Sequence, residues 1–177
     1  VKAEKYFTIS KSVTGNREQR LDAMRGLLRS QYQLKQWNEA VSHAQELLKE
    51  KSISTDDKVL ASMIQGRANQ NGGKYAEAIQ HYRSVVSMNN AAYGAEARYE
   101  IADCYFRLND VKNAERAAFE TINKSGSYDF WITKAYILLG EVFWKQKDYF
   151  NAKATLQSVV ENSRNTELKE EAQVKLE

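Results

Sequence analysis

Apolar residues recur along this chain at the spacing of amphipathic helices, and the pattern is clearest over residues 95–122. Ala95 and Ala102 fall on one helical face of its first half. Asp110 then interrupts the pattern and supplies a carboxylate that can cap the next helix, which contains Ala114. The stretch therefore predicts two antiparallel helices joined by a short turn.

Residue size along this stretch predicts how the two helices pack. Small side chains at Ala102 and Ala114 stand where the helices have to touch. We expect the larger side chains of Tyr99, Tyr105 and Phe119 to fill the space beside them.

The helix pair recurs along the chain at a nearly constant interval. A residue that opens each second helix and a core position in each first helix both repeat at intervals of 38, 36 and 38 residues. Such an interval is typical of a helical solenoid, in which one hairpin cannot bury its apolar face alone. These positions are Trp37, Tyr75, Val111 and Tyr149 in the second helices, and Leu28, Gly66, Ala102 and Gly140 in the first helices.

The repeated residues resemble the motif of the tetratricopeptide repeat family. The closest local match is Leu139-Gly140 with Phe143, followed by Tyr149 and Ala152. The chain departs from the family pattern because its repeats are a few residues longer and it contains no proline. The resemblance implies an all-α fold, an α-α superhelix in which antiparallel helical hairpins form a solenoid.

We interpret the chain as a single repeat domain over residues 1–177, excised from a longer array. In the alternative interpretation the half repeats at the two ends are themselves caps. The predicted units are a half repeat at 1–13, repeats at about 19–53, 57–90, 93–126 and 129–164, and a half repeat at 166–177.

Composition narrows the classes of partner. The net charge is +3 over 177 residues, and basic and acidic residues are interspersed, which disfavours nucleic acid as a partner. No apolar run is long enough to span a membrane. Cys104 is the single cysteine and is predicted to be buried and inert. Neither oligomeric state nor the identity of a partner follows from the sequence.

The residues predict no catalysis, no cofactor and no metal. His43 and His81 occupy equivalent places in successive second helices, but two histidines without a third ligand do not form a typical metal site. Gly72-Gly73 is interpreted as a helix stop, and Ser54 with Asp57 as a capping pair. An enzyme within these residues is the least favoured of three interpretations.

The resemblance implies that the first helices of successive hairpins line a concave groove that binds a peptide. Arginines would dominate its amino-terminal half and carboxylates its carboxy-terminal half, with aromatic rings along it. In the alternative, the rings only pack against the neighbouring hairpin. The implied groove residues are Arg25, Arg29, Tyr32, Met63, Arg67, Gln70, Tyr99, Asp103, Phe106, Ile137, Glu141 and Trp144.

We therefore predict a non-catalytic protein–protein interaction scaffold or assembly factor. The alternative is a regulatory or sensor repeat segment attached to an enzyme or signalling module outside this sequence. The long repeats and asparagine-rich joints are similar in texture to bacterial cell-envelope members of the family. That similarity favours the periplasm or the outer membrane, and the cytoplasm stays open as an alternative.

Overall fold

The computed structural model describes residues 16–89 and 91–177, and within them the chain forms nine helices and no strand. The all-α repeat fold predicted from the sequence is confirmed. The half repeat predicted at 1–13 lies outside the described residues. The helices are α1 Arg17–Gln33, α2 Trp37–Lys49, α3 Thr55–Asn71, α4 Tyr75–Met88, α5 Ala92–Arg107, α6 Val111–Lys124, α7 Asp129–Lys145, α8 Tyr149–Asn162 and α9 Thr166–Leu176.

The chain divides into two compact units, unit 1 over Val1–Val85 and unit 2 over Val86–Glu177. In unit 1, α2 packs against α1 and α3, and α1 also contacts α3. In unit 2 each helix from α5 to α9 packs against the next, and α7 also contacts α5 and α9. Within each unit the first helices of successive hairpins therefore lie side by side.

Polar side chains begin most helices by accepting backbone hydrogen bonds. Ser54 and Asp57 form the predicted capping box of α3, each side chain accepting the other residue's backbone N–H at 3.1 Å. Asp110 accepts from the backbone N–H of Asn113, as predicted. Asp148 does the same at the start of α8. These contacts satisfy donors that the first helical turn leaves unpaired.

The four hairpin turns share one backbone feature. Lys35, Gly73, Asn109 and Lys147 each adopt a left-handed conformation, with φ between 57° and 74°. These positions recur at the same intervals of 38, 36 and 38 residues as the helices. The backbone therefore repeats even where the side chain does not, and the break predicted at Gly73 is confirmed.

The two helices of a hairpin come closest where one residue is small. A β-carbon at Gly66 would lie 2.5 Å from the Tyr82 ring, and one at Gly140 would lie 2.7 Å from Leu156 Cγ. In both hairpins the paired positions are sixteen residues apart. In α5 and α6 the same spacing joins Ala102 to another alanine, Ala118, and both are buried in one cluster.

Two apolar clusters lie among the described residues of unit 2. One joins α5, α6 and α7, and Tyr99 and Tyr105 pack against it, as predicted. Phe119 of α6 is instead 41% exposed. The prediction for Phe119 is therefore wrong. The second cluster contains Ala172 of α9, with Leu176 of the same helix packed against it.

Candidate binding surface

Arg25, predicted to line a groove, is held by a carboxylate of the next first helix. Its Nε donates to Asp57 Oδ1 at 2.7 Å and its Nη2 donates to Oδ2 at 2.9 Å, while Nη1 donates to Asp22. These hydrogen bonds lower the pKa of the buried Asp57 carboxyl to about 2. Arg25 is therefore a structural residue between α1 and α3 rather than an open cation for a ligand.

Two other predicted groove residues of unit 1 belong to its interior packing. Met63 is fully buried, so its side chain offers no surface, and its assignment to a groove is corrected. Gln70 accepts a hydrogen bond from the Tyr82 hydroxyl at 2.6 Å. The Tyr82 ring fills the space beside Gly66, so this bond satisfies the polar end of a fully buried side chain.

The remaining candidates of unit 1 have partly or fully open side chains. The Tyr32 ring meets the Trp37 ring edge to face, with centroids 5.3 Å apart. Arg67 is half-buried, and Arg29 is exposed. Among the candidates in α1, Arg29 is therefore the cation most open to a partner.

In unit 2, Tyr99 lies at the centre of an aromatic and charged group. Its ring centroid is 5.6 Å from that of Trp131, and Lys134 Nζ lies 5.5 Å from it. Burial raises the pKa of the Tyr99 phenol, and nearby carboxylates raise it further, so the phenol is neutral at pH 7. These carboxylates are Glu100, Asp103, Glu171 and Glu141.

Ion pairs join α7 to α9 along the same side. Lys134 Nζ lies 3.3 Å from Glu171 Oε2, and Lys175 Nζ lies 2.7 Å from Glu141 Oε1. Together with the Tyr99 ring, these four residues define what we call the first-helix face of unit 2. Each pair is partly exposed, and such pairs contribute about 1 kcal/mol or less.

Two further candidates of unit 2, Asp103 and Ile137, have little exposed surface. Asp103 is largely buried and accepts from Arg107 Nε at 2.7 Å, so its charge is paired within α5. Ile137 is 1% exposed in the cluster of α7, α8 and α9. Its assignment to the groove is corrected, because its side chain is part of the core.

The last two candidates lie near the carboxy-terminal ends of α5 and α7. Lys145 Nζ stands 4.1 Å from the Phe106 ring centroid, a cation–π contact between successive first helices. Trp144 is 63% exposed, and its ring meets the Tyr149 ring edge to face at 4.7 Å. Trp144 therefore lies in the last turn of α7 and contacts the first residue of α8.

Four residues of these contacts were not among the groove residues predicted from the sequence, namely Trp131, Lys134, Lys145 and Lys175. A signal was present in α7, because Lys134, Glu141 and Lys145 are spaced by seven and four residues and so share one helical face. A prediction built on the charged positions of that face would not have included the buried Ile137.

A cleft of about 630 Å³ lies between the start of α7 and the end of α8. Phe130 and Tyr136 line its apolar side. Several polar groups around it are engaged in local bonds, since Asn162 donates to Ser158 and Asn165 caps α9. We therefore assign no cofactor to this cleft.

The histidines and the cysteine have ordinary structural surroundings. His43 Nδ1 lies 3.1 Å from Gln31 Oε1. Partial burial lowers the pKa of His81. Cys104 is buried, as predicted. In the part of the chain that the structure describes, no group of three His, Cys, Asp or Glu residues could hold a metal ion, and no helix is long and apolar enough to cross a membrane.

Comparison with solved structures places this fold among known repeat proteins. The crystal structure of BtubC (BKLC) from P. vanneervenii superposes with a TM-score of 0.75 at 12% identity, covering 99% of this chain and 80% of that one. A thermophilic TPR protein of Thermus thermophilus, TTC0263, gives a TM-score of 0.62 at 15% identity, covering 96% of this chain and 88% of that one. At sequence identities of 12% and 15%, these similarities show a shared fold alone.

Sequence profiles give the family. One tetratricopeptide repeat profile matches residues 25–94 and 65–129, and a second matches 134–166. No curated protein matches the chain. Because the matched residues make up more than half of the sequence and the helices repeat with the predicted period, this chain belongs to the tetratricopeptide repeat family.

Proposed function

We propose that this chain is a non-catalytic scaffold or assembly factor that holds a polypeptide partner along the first helices of its repeats. Tetratricopeptide repeats generally mediate protein–protein interaction. The observation that carries the proposal is the first-helix face of unit 2, where the Tyr99 ring lies beside partly exposed ion pairs. Aromatic residues are enriched at protein–protein interfaces, and partly exposed polar and charged groups are typical of their rim.

The charges of this face support a partner of mixed polarity rather than a strictly acidic or basic one. Glu141 is paired with Lys175, and Lys134 is paired with Glu171. A partner can replace these ion pairs at little cost, because partly exposed pairs contribute only about 1 kcal/mol or less. Glu141, one of the carboxylates predicted for the carboxy-terminal half of the groove, is thus accompanied by lysines in unit 2.

The proposal includes the absence of catalysis, which is typical of this fold.

For the compartment, we propose the periplasm or the outer membrane of a bacterium, on the long repeats and asparagine-rich joints of the sequence alone. Fractionation of the source cells, followed by immunodetection of the chain, tests the compartment independently of binding.

The binding proposal is tested by selecting peptides from a random library on the full chain and mapping them by NMR chemical-shift changes. We expect the largest shifts in α5, α7 and α9, or in α1 and α3. Glu141→Ala should weaken binding of peptides that map to unit 2 by about tenfold, the loss of roughly 1.4 kcal/mol.

The matched control is Glu120→Ala in α6. Glu120 is also a glutamate in an ion pair, 3.0 Å from Lys124, but it lies on a second helix. Its substitution should leave affinity unchanged. The proposal is refuted if the selected peptides shift only residues of the second helices, or if both alanine variants weaken binding equally.

A further inference from the structure

Two neighbouring hairpin turns of unit 2 form one continuous edge. Lys145 Nζ donates to Asn109 Oδ1 at 3.2 Å, and Gln146 Nε2 donates to Glu115 Oε2 at 2.6 Å. These bonds join the turn between α5 and α6 to the turn between α7 and α8. We call residues 106–116 and 143–153 the turn edge.

Large apolar side chains are exposed on the turn edge. Phe150 is 82% exposed, Trp144 is 63% exposed and Tyr149 is 53% exposed, and Leu108 on the adjoining turn is 45% exposed. Isolated exposed hydrophobics are normal, but several on one pair of joined turns form a patch, and patches rimmed by polar residues mark interaction sites. The contact between the Trp144 and Tyr149 rings makes part of this patch continuous.

The charge around the patch is positive. The turn edge contains six basic and three acidic residues. The acidic side chains are occupied by hydrogen bonds within the chain, since Asp110 accepts from Asn113, Asp148 accepts from Asn151, and Glu115 accepts from Gln146. Among the basic residues, Lys112, Arg116, Lys147 and Lys153 are exposed.

From these observations we infer that the turn edge is a second docking surface, which binds an acidic polypeptide segment carrying an apolar side chain. The apolar side chain packs on Phe150 and Trp144, while carboxylates of the segment meet Lys112, Lys147 and Lys153. Electrostatic complementarity of this kind sets register and excludes basic segments. We favour a polypeptide over a nucleic acid because the chain carries a net charge of only +3, with basic and acidic residues interspersed along it.

The inference goes beyond the proposed function, because it concerns a different surface. Its test uses the full chain and a capped, fluorescein-labelled synthetic peptide of Asp and Glu residues around one Leu, followed by anisotropy. We expect Phe150→Ala and Lys112→Glu/Lys153→Glu each to weaken binding by about tenfold. Added salt should weaken binding by the parent chain more than binding by the lysine variant.

Matched controls come from α6. Phe119→Ala removes an exposed ring outside the turn edge, and Lys124→Glu reverses an exposed lysine there. Both should keep the parent affinity within about twofold, because surface substitutions away from a site usually change free energies by about 0.5 kcal/mol or less. Thermal melts followed by circular dichroism verify that every variant is folded. We expect all of them to fold, because the substituted side chains are exposed.

Several results would overturn the inference. Unchanged affinity in both turn-edge variants, or no binding by the parent chain, removes the site. Equal affinity for a peptide with Gln and Asn in place of Glu and Asp removes its charge selectivity. Tighter, Phe150-dependent binding of a single-stranded oligonucleotide or an anionic vesicle assigns the surface to another class of partner. Weakening by Glu141→Ala alone would move the peptide to the first-helix face, leaving the proposed function intact.

Discussion

Gly140 faces Leu156 so closely that a β-carbon at position 140 would lie 2.7 Å from Leu156 Cγ. The contact joins the two helices of the hairpin formed by α7 and α8. Real β-carbons do not approach other carbon atoms this closely, so the hairpin needs a glycine here as long as leucine stands opposite. Gly66 and Tyr82 have the same relationship in the hairpin of α3 and α4.

Gly140→Ala should therefore destabilise the protein, although alanine is the better helix former. We expect the overpacking cost of about 1 to 3 kcal/mol to exceed the helix-propensity gain of about 1 kcal/mol at most. Chemical denaturation followed by circular dichroism measures the change. The double variant Gly140→Ala/Leu156→Ala should show a favourable coupling energy, because the smaller side chain removes the clash. Additive effects of the two substitutions would contradict this account.

Ala102→Leu should separate α5 from α6, where Ala118 is the opposed residue. Both alanines are fully buried, so the added volume has no open space to enter. We expect a loss of about 1 to 3 kcal/mol in the free energy of unfolding. Ala154→Leu on the exposed side of α8 is the control and should change it by less than about 0.5 kcal/mol. Equal midpoints for both variants would show that the hairpin register is wrong.

Arg25→Ala should be among the most damaging charge substitutions in unit 1. It leaves the carboxylate of Asp57, which is 2% exposed, without its guanidinium partner. Breaking a buried pair typically costs about 3 kcal/mol or more. Arg29→Ala, one turn later on an exposed position, should cost less than about 0.5 kcal/mol. Urea denaturation of both variants at pH 7 measures the difference, and similar losses would refute the structural role of Arg25.

The same ion pair predicts a pH dependence. The pKa of Asp57 is about 2 in the folded chain, against an ordinary value of 3.8. A lowered folded-state pKa stabilises the fold above pH 3.8, and this contribution is lost as the pH falls towards 2. The stability difference between the parent and Arg25→Ala should therefore shrink across this window. A difference that stays constant from about pH 5 to about pH 2 would argue against the pairing.

Trp131 and Trp144 should differ in how much their side chains contribute to the stability of the fold. Trp131 is partly buried and contacts both Tyr99 and Phe130, so Trp131→Ala should cost about 3 kcal/mol of stability. Trp144 is 63% exposed, and its removal should cost about 1 kcal/mol or less. Thermal unfolding of the two variants provides the comparison. A large destabilisation by Trp144→Ala would support the interpretation in which that ring only packs within the chain.

The repeat, the turns and the caps could be predicted from sequence because each depends on residues close together in the chain. Asp110 and the Ser54–Asp57 pair were found this way, as was the repetition of Gly66 and Gly140 at one core position of the first helices. These features follow from helical periodicity and local hydrogen bonding.

The surface was harder to predict because it depends on contacts between repeats. The pairing of Arg25 with Asp57, across 32 residues, turned a predicted ligand contact into a structural one. Ile137 was chosen by its spacing, although an apolar side chain beside Gly140 packs into the core instead. A rotation of one residue position on a helix moves a side chain by about 100°, enough to exchange core and surface.

Backbone strain at the left-handed turn residues lowers the stability of the folded chain. Lys35 and Lys147 adopt a conformation that glycine occupies without strain, and Gly73 occupies it in another hairpin. A non-glycine residue in this region stores about 1 kcal/mol of backbone strain or more. Glycine at either lysine would relieve it, offset in part by the greater entropy of the unfolded chain. The fold therefore stands below its attainable stability. Glycine at Lys35, which lies outside both proposed binding surfaces, could offset a destabilising change on a binding surface without altering that surface.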